Sequence, residues 1–315
     1  MDFTDLAGLS APATKLIKVL SSGMGTVYRP ISIRLDAAAN AKAIRMLGAA
    51  NLEVEVTRTN ALAASDASNK VVLAEASIQI EDRAQRRLQH REVRRQRNLE
   101  AIAEAAVFHL PDQVSSTDVE ENWKTRFFNI AEDVSNADMQ DIWGKILAGE
   151  VARPGTYSMR ALEILKNLSP GEAETFQKLR HLATDSGYVL KIGFGNDLTE
   201  FGITFGDVLS MREAGLLADG DNLSVMLTIP QQVEYAILPF AGKALLIQVT
   251  ADQPKIINFE VYVLTAVGIQ LISLIAPEIN MEYLRKIAVA YKDKGTFFVG
   301  YMGHNLEHFE KISSS

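Results

Sequence analysis

The chain has 315 residues, of which 47% are hydrophobic and 23% are charged, and its formal net charge is −7. This composition is typical of a folded protein with a sizeable core and excludes wholesale disorder. The sequence contains no cysteine, which excludes disulfides, thiolate metal sites and cysteine nucleophiles, and its acidic balance disfavours nucleic-acid binding by the protein as a whole.

Two features of the sequence bear on its location. Asp2 and Asp5 stand where a secretory signal would be basic, so we expect a cytoplasmic protein. The longest apolar stretch, Val261–Ala276, is shorter than the roughly 20 residues that cross a bilayer, and it contains polar residues. It predicts a buried strand followed by a helix.

Residues 1–33 are predicted to form an amphipathic N-terminal segment, with apolar residues at helical spacing after Ser10 and Pro12. We expect this helix to pack on the body of the protein. The alternative is that residues 5–28 contact the inner membrane peripherally, with Lys15 and Lys18 among the headgroups.

Residues 34–110 predict a long, coiled-coil-like helical segment, because Pro30 and Pro111 enclose a stretch without proline and with Gly48 as its only glycine. About 75 helical residues would extend on the order of 110 Å. Such a helix must fold back or project towards a partner, a second copy or a membrane. We therefore predict a homo-oligomer built partly through residues 60–110.

The middle of this segment is rich in arginine and poor in large apolar residues. Residues 81–97 contain seven arginines against three acidic residues, a net charge of +4, so the remainder of the chain carries −11. Aligned guanidinium groups bind phosphates of nucleic acid or lipid, or pair with acidic protein surfaces. Because no aromatic residue interleaves them, a solvated or intersubunit face is the favoured interpretation. The candidate interaction residues are Arg83, Arg87, Arg91, Arg94, Arg95 and Arg97.

Residues 111–186 predict a small helical bundle. Trp123 and Trp143 both lie on apolar helical stripes, which indicates a structural role in the core. Asn136 is positioned to cap the helix that contains Trp143, and Gly149 to end it.

Residues 187–303 predict an α+β domain, followed by a tail at 304–315. A helix over 205–214, Gly215, a turn at 219–222 and a strand over 223–229 resemble the end of a winged helix. The fold class predicted for the whole chain is therefore mainly α with a C-terminal α+β region.

The sequence offers no catalytic, cofactor or metal site, and we predict a non-enzyme without cofactors. Gly193 and Gly195 lack the spacing of a dinucleotide fingerprint. His304 and His308 stand four residues apart, but no third metal ligand has an obvious spacing.

Several stretches resemble a bacterial family of unknown function and the related alpha-type abortive-infection proteins. They are the run from Asn136 to Glu150, the run from Arg153 to Leu168, Gly8–Pro12, Val27–Pro30 and Arg94–Glu100. The likeness covers about residues 5–185. It implies a role in phage defence and brings no catalytic residues. Together with the long helix, it favours a non-enzymatic, self-associating component that acts through protein or membrane contacts, for which a protein from the same operon is a further candidate partner. The alternative is a nucleic-acid-binding regulator that uses helix 83–97 and the winged-helix-like domain.

Overall fold

The computed structural model describes residues 10–24, 68–192, 198–230, 233–240, 243–250, 256–276, 278–301 and 309–312. Two compact units divide the chain, Met1–Gly155 and Thr156–Ser315. The predicted fold class is confirmed: the first unit is helical in its described residues, and the second combines helices with antiparallel sheets.

The first unit contains four described helices, which pack on one another. Their bounds are α1 Ala11–Met24, α2 Ser68–His109, α3 Glu121–Ala131 and α4 Ala137–Ala152. Asn136 begins α4 as predicted, since its side chain accepts a hydrogen bond from the backbone N–H of Met139 at 3.0 Å. Both tryptophans are buried as expected, and Phe127 stacks on Trp123 at 5.0 Å and lies 5.4 Å from Trp143.

Helix α1 packs against α2, α3 and α4, and its apolar residues belong to the core of this unit. Its two lysines are held by the same unit: Lys15 donates to the carbonyl of Ser115 at 2.8 Å, and Lys18 lies 3.1 Å from a carboxylate oxygen of Asp118. The rest of the predicted N-terminal segment, 1–9 and 25–33, lies outside the described residues.

The second unit begins with two helices and continues as α+β structure. The helices are α5 Met159–Asn167, α6 Pro170–Arg180, α7 Phe205–Glu213, α8 Ala266–Ile272 and α9 Met281–Ala290, with a 3₁₀ turn at Thr199–Phe201. The strands are β1 Tyr188–Leu190, β2 Ser224–Thr228, β3 Tyr235–Phe240, β4 Lys243–Gln248, β5 Ile256–Val263, β6 Thr296–Tyr301 and β7 Glu310–Lys311.

The strands form two antiparallel sheets, ordered β1-β5-β2 and β3-β4-β6-β7. In the first sheet, Val189 faces Tyr262 and Met226 faces Asn258. Because α7 lies in the chain between β1 and β2, and β5 returns between them, this part has a winged-helix-like topology. The stretch from Val261 is the end of a strand followed by α8, as predicted.

One detail of the sequence prediction was wrong. Gly149 does not end α4, which continues for one more turn, where the Ala152 carbonyl accepts from the backbone N–H of Ser115 at 2.8 Å. The turn at 219–222 leads into β2, which pairs with β5. Helix α8 begins at Ala266, where the Thr265 side chain caps it.

Candidate interaction site

The predicted arginine-rich segment is the exposed first half of a single helix, α2. Every described side chain from Gln79 to Arg94 is exposed. We call residues 79–97 the arginine arm. Ile80, a large apolar residue at the start of the arm, is 59% exposed. Residues 34–67 of the predicted long segment lie outside the described part of the chain.

The arm separates its charges between two halves of the helix. At 100° per residue, all seven arginines of residues 81–97 project within an arc of about 180°. Glu81, Asp82 and Glu92 project from the other half. The arginines span about 21 Å along the helix axis, from Arg83 to Arg97. The arm therefore presents a one-sided cationic surface.

Arg95 fixes the base of the arm to the first unit. Its guanidinium donates to both carboxylate oxygens of Asp133, at 3.2 and 3.3 Å, and lies 3.2 Å from Glu132. The hydrogen bond to Asp133 raises the pKa of Arg95 above its ordinary value. Arg94 approaches Asp133 at 4.0 Å. These contacts show that the arm's arginines pair with carboxylates of this unit where they can reach them.

Asn98 marks the point at which α2 enters the core. Its amide donates to the Glu132 carbonyl at 2.8 Å, and its oxygen accepts from Gln140 at 3.3 Å. Beyond it, Ile102 and Ala106 are fully buried, as their spacing predicted. The part of α2 from Asn98 onward is therefore held in the core, and the exposed arm is the part of the same helix that precedes it.

The remaining arginines differ in their partners. Arg86 pairs with Asp82 at 2.7 Å, and Arg91 with Glu92 at 3.2 Å. Arg83, Arg87 and Arg97 have no carboxylate within ion-pair distance in the described parts of the chain. These three guanidinium groups are therefore available to another molecule.

The body that bears the arm has the opposite charge. Residues 98–155 contain eleven Asp and Glu against four Lys and Arg, a net charge of −7, and Lys15 and Lys18 of α1, which packs on them, reduce it to −5 for the described body. Lysines pair with several of these carboxylates, including Asp118 and Glu121. Glu104, Asp112 and Asp138 are exposed and, among the residues described, have no ion-pair or hydrogen-bond partner.

The winged-helix-like part offers no comparable cationic surface on α7. Its single cation, Arg212, donates to the Asp221 carboxylate at 2.8 Å and to the Gly220 carbonyl at 2.7 Å. The buried Lys191 donates to the Asp221 carbonyl at 2.5 Å and lies 4.6 Å from the centre of the Tyr262 ring. Burial lowers the pKa of Lys191. Both cations therefore hold the turn at 219–222.

Sequence reasoning missed one charged pair, between His109 and Asp141. His109 ends α2, and its Nε2 lies 2.6 Å from the carboxylate of Asp141 in α4. Lys145 lies 2.9 Å from the same carboxylate. The hydrogen bond with His109, followed by that with Lys145, lowers the pKa of Asp141. The pair links two helices that are distant in sequence.

The described residues contain no cluster of three His, Asp or Glu side chains that could hold a metal ion. His304, His308, Gly193 and Gly195 lie outside the described part of the chain. None of the helices described is both long and apolar enough to span a membrane.

Comparison with known proteins gives one family. The profile described as "Protein of unknown function (DUF2806)" matches residues 82–288, about two thirds of the chain. The matched range begins within the arginine arm and ends in α9, well beyond the region around residues 5–185 that carried the resemblance. No curated protein and no solved structure matches the chain.

Proposed function

The chain belongs to the family described as "Protein of unknown function (DUF2806)", and we propose that it is a non-enzymatic, self-associating component of bacterial antiviral defence. We place it in the cytoplasm, where it acts through protein contacts. The observation that carries self-association is the arginine arm, whose described side chains are exposed from Gln79 to Arg94.

An exposed helical stretch of this length favours an intermolecular contact. Most helical stability in proteins comes from the packing of one face rather than from intrinsic helix propensity. The arm also exposes Ile80, Leu88 and Val93. A second molecule that covers these residues would remove apolar surface from water and stabilise the helix.

The antiviral role rests on the resemblance to alpha-type abortive-infection proteins in the run from Asn136 to Glu150 and in the run that follows it. This resemblance supports phage defence as the biological setting and keeps a protein from the same operon as a second candidate partner. A membrane contact by residues 5–28 has less support, because the apolar residues of α1 are buried against the other helices.

The arm's one-sided charge also favours a second candidate function, binding of nucleic acid through Arg83–Arg97. The winged-helix-like part adds little to it, since Arg212 is held by Asp221 and Gly220. Phosphate contacts would impose a steep loss of affinity with salt.

Two measurements test the main proposal. Light scattering at micromolar concentration should give a mass above the 34.6 kDa of one chain. Bacteria that express the protein should release fewer phage than bacteria with an empty vector. A monomer at every salt concentration would contradict self-association, and equal phage yields would contradict the defence role.

A further inference from the structure

We propose that the arginine arm of one copy docks on the acidic surface of residues 98–155 of a second copy, so that the chains associate head to tail. This inference rests on the proposed self-association and names the two surfaces that make it. The arm contributes Arg83, Arg87 and Arg97, and the acceptor surface contributes Glu104, Asp112 and Asp138.

Charge repulsion argues against the simpler arrangement, in which two arms pair with each other. Each arm carries +4 over residues 81–97, and all seven arginines project from one half of the helix. Two such surfaces within a Debye length, about 8 Å at physiological salt, repel each other. The acidic surface, with −7 over residues 98–155, attracts the arm instead.

The two surfaces match in the groups that they leave unpaired. Arg83, Arg87 and Arg97 have no carboxylate partner among the described residues, and the three exposed carboxylates of the acceptor surface have no partner there either. Pairing them between copies satisfies both sets without breaking the ion pairs that each chain already makes.

Each chain already contains one example of the same contact. At the base of the arm, Arg95 binds both carboxylate oxygens of Asp133 and also approaches Glu132. Fork-shaped contacts of this kind combine charge with directionality. The arginines nearer the start of the arm offer the same chemistry up to about 18 Å further along the helix, at Arg83.

Arm-to-body contacts made in one direction continue from copy to copy into rings or filaments, whereas two copies that exchange arms close a two-fold dimer. We therefore expect the mass of the assembly to rise with concentration and to fall with salt, because exposed ion pairs are screened.

Reversing the charges separately on the two surfaces tests this arrangement. The arm variant is Arg83→Glu/Arg87→Glu/Arg97→Glu. The acceptor variant is Glu104→Lys/Asp112→Lys/Asp138→Lys, and a third chain combines all six changes. The control, Arg160→Glu/Arg285→Glu/Lys292→Glu, alters net charge as the arm variant does, but at exposed positions of the second unit.

Sedimentation velocity at low and high salt measures association, and circular dichroism checks the fold. We expect each single-surface variant to associate at least about tenfold more weakly than the parent, since several exposed pairs are lost. The six-residue chain should recover association, because its acidic arm meets a basic acceptor surface. The control should behave as the parent. If a reversal prevents folding, the corresponding Gln or Asn substitutions give the same comparison without new charges.

Other outcomes separate the proposals. A parent that associates, but whose association neither reversal weakens, overturns the docking arrangement and leaves self-association standing. Loss of association in the arm variant alone, with the acceptor variant unaffected, also overturns it. Fluorescence anisotropy with a short DNA duplex and an RNA oligonucleotide tests whether the arm binds nucleic acid instead. If the parent binds either one in a salt-sensitive way, and the arm variant loses this binding while its assembly keeps the mass of the parent's assembly, the arm is a nucleic-acid site and the docking arrangement is overturned.

Discussion

Gly144 of α4 lies so close to Ala105 of α2 that a Cβ atom built on the glycine would stand 2.5 Å from the Cβ of Ala105 and 2.9 Å from its backbone carbon. These two helices make the central contact of the first unit, at the place where the arm's helix enters the core. Backbone as well as side chain would have to shift to admit a methyl group.

Gly144→Ala should therefore destabilise the first unit. Alanine gains up to about 1 kcal/mol over glycine in helix propensity, but overpacking of a core typically costs about 1–3 kcal/mol. We expect a net loss of about 1–2 kcal/mol in the free energy of unfolding. Tryptophan fluorescence reports it directly, since both tryptophans belong to this unit. Gly171→Ala, in a helix of the second unit, is the control without a close contact, because its added Cβ meets no atom within 4 Å; thermal unfolding followed by circular dichroism, which reports both units, compares the two variants.

Trp143 is fully buried, and its indole N–H has no acceptor in the described residues. Truncation to Ala should cost about 3–5 kcal/mol, as for other core aromatic residues. Trp143→Phe should cost much less, because it also removes a buried donor that lacks a partner. Urea unfolding followed by the fluorescence of Trp123 compares the variants. An alanine variant as stable as the parent but inactive against phage would show that Trp143 binds a partner.

Local chemistry made several parts of the fold predictable. Asn136 and Ser169 begin helices because their side chains cap backbone N–H groups three residues on, and Gly215 ends α7 with a positive φ of 74°. These signals lie within a few residues of the structure that they specify. The tryptophans were placed in the core by the same local periodicity.

What could not be predicted depends on contacts between distant residues. Gly149 was predicted to end α4, but the helix continues to Ala152, whose carbonyl accepts from the backbone N–H of Ser115 at 2.8 Å. The partner of β2 is fixed by residues about thirty positions further on. In the candidate site, the sequence identified the arginines, but it could not show that Arg95 is held by Asp133 while Arg83 has no such partner.

The Asp141 carboxylate makes the stability of the first unit depend on pH. Its folded-state pKa is lowered, chiefly by the hydrogen bond with His109, so its stabilising contribution is present above the ordinary pKa of an aspartate. That contribution is lost as pH falls through the depressed value. Asp141→Asn should therefore flatten the loss of stability below about pH 4. His109→Gln, which removes the principal cause, should act in the same direction. Urea unfolding of both variants between neutral and acidic pH measures how the free energy of unfolding depends on pH. A pH dependence equal to that of the parent would contradict the prediction.

The last prediction concerns Arg212, the single cation of α7. Because its guanidinium holds Asp221 and Gly220, which are both exposed, Arg212→Ala should destabilise the second unit by about 1 kcal/mol, the typical net contribution of hydrogen bonds whose other partners can bind water instead. Arg285→Ala, at an exposed position of α9, should change stability by less than about 0.5 kcal/mol. Calorimetry measures both effects. Both variants should bind a DNA duplex with the same affinity as the parent, because the side chain of Arg212 is held by the turn. A variant that keeps the parent's stability and loses duplex binding would show that α7 contacts nucleic acid after all.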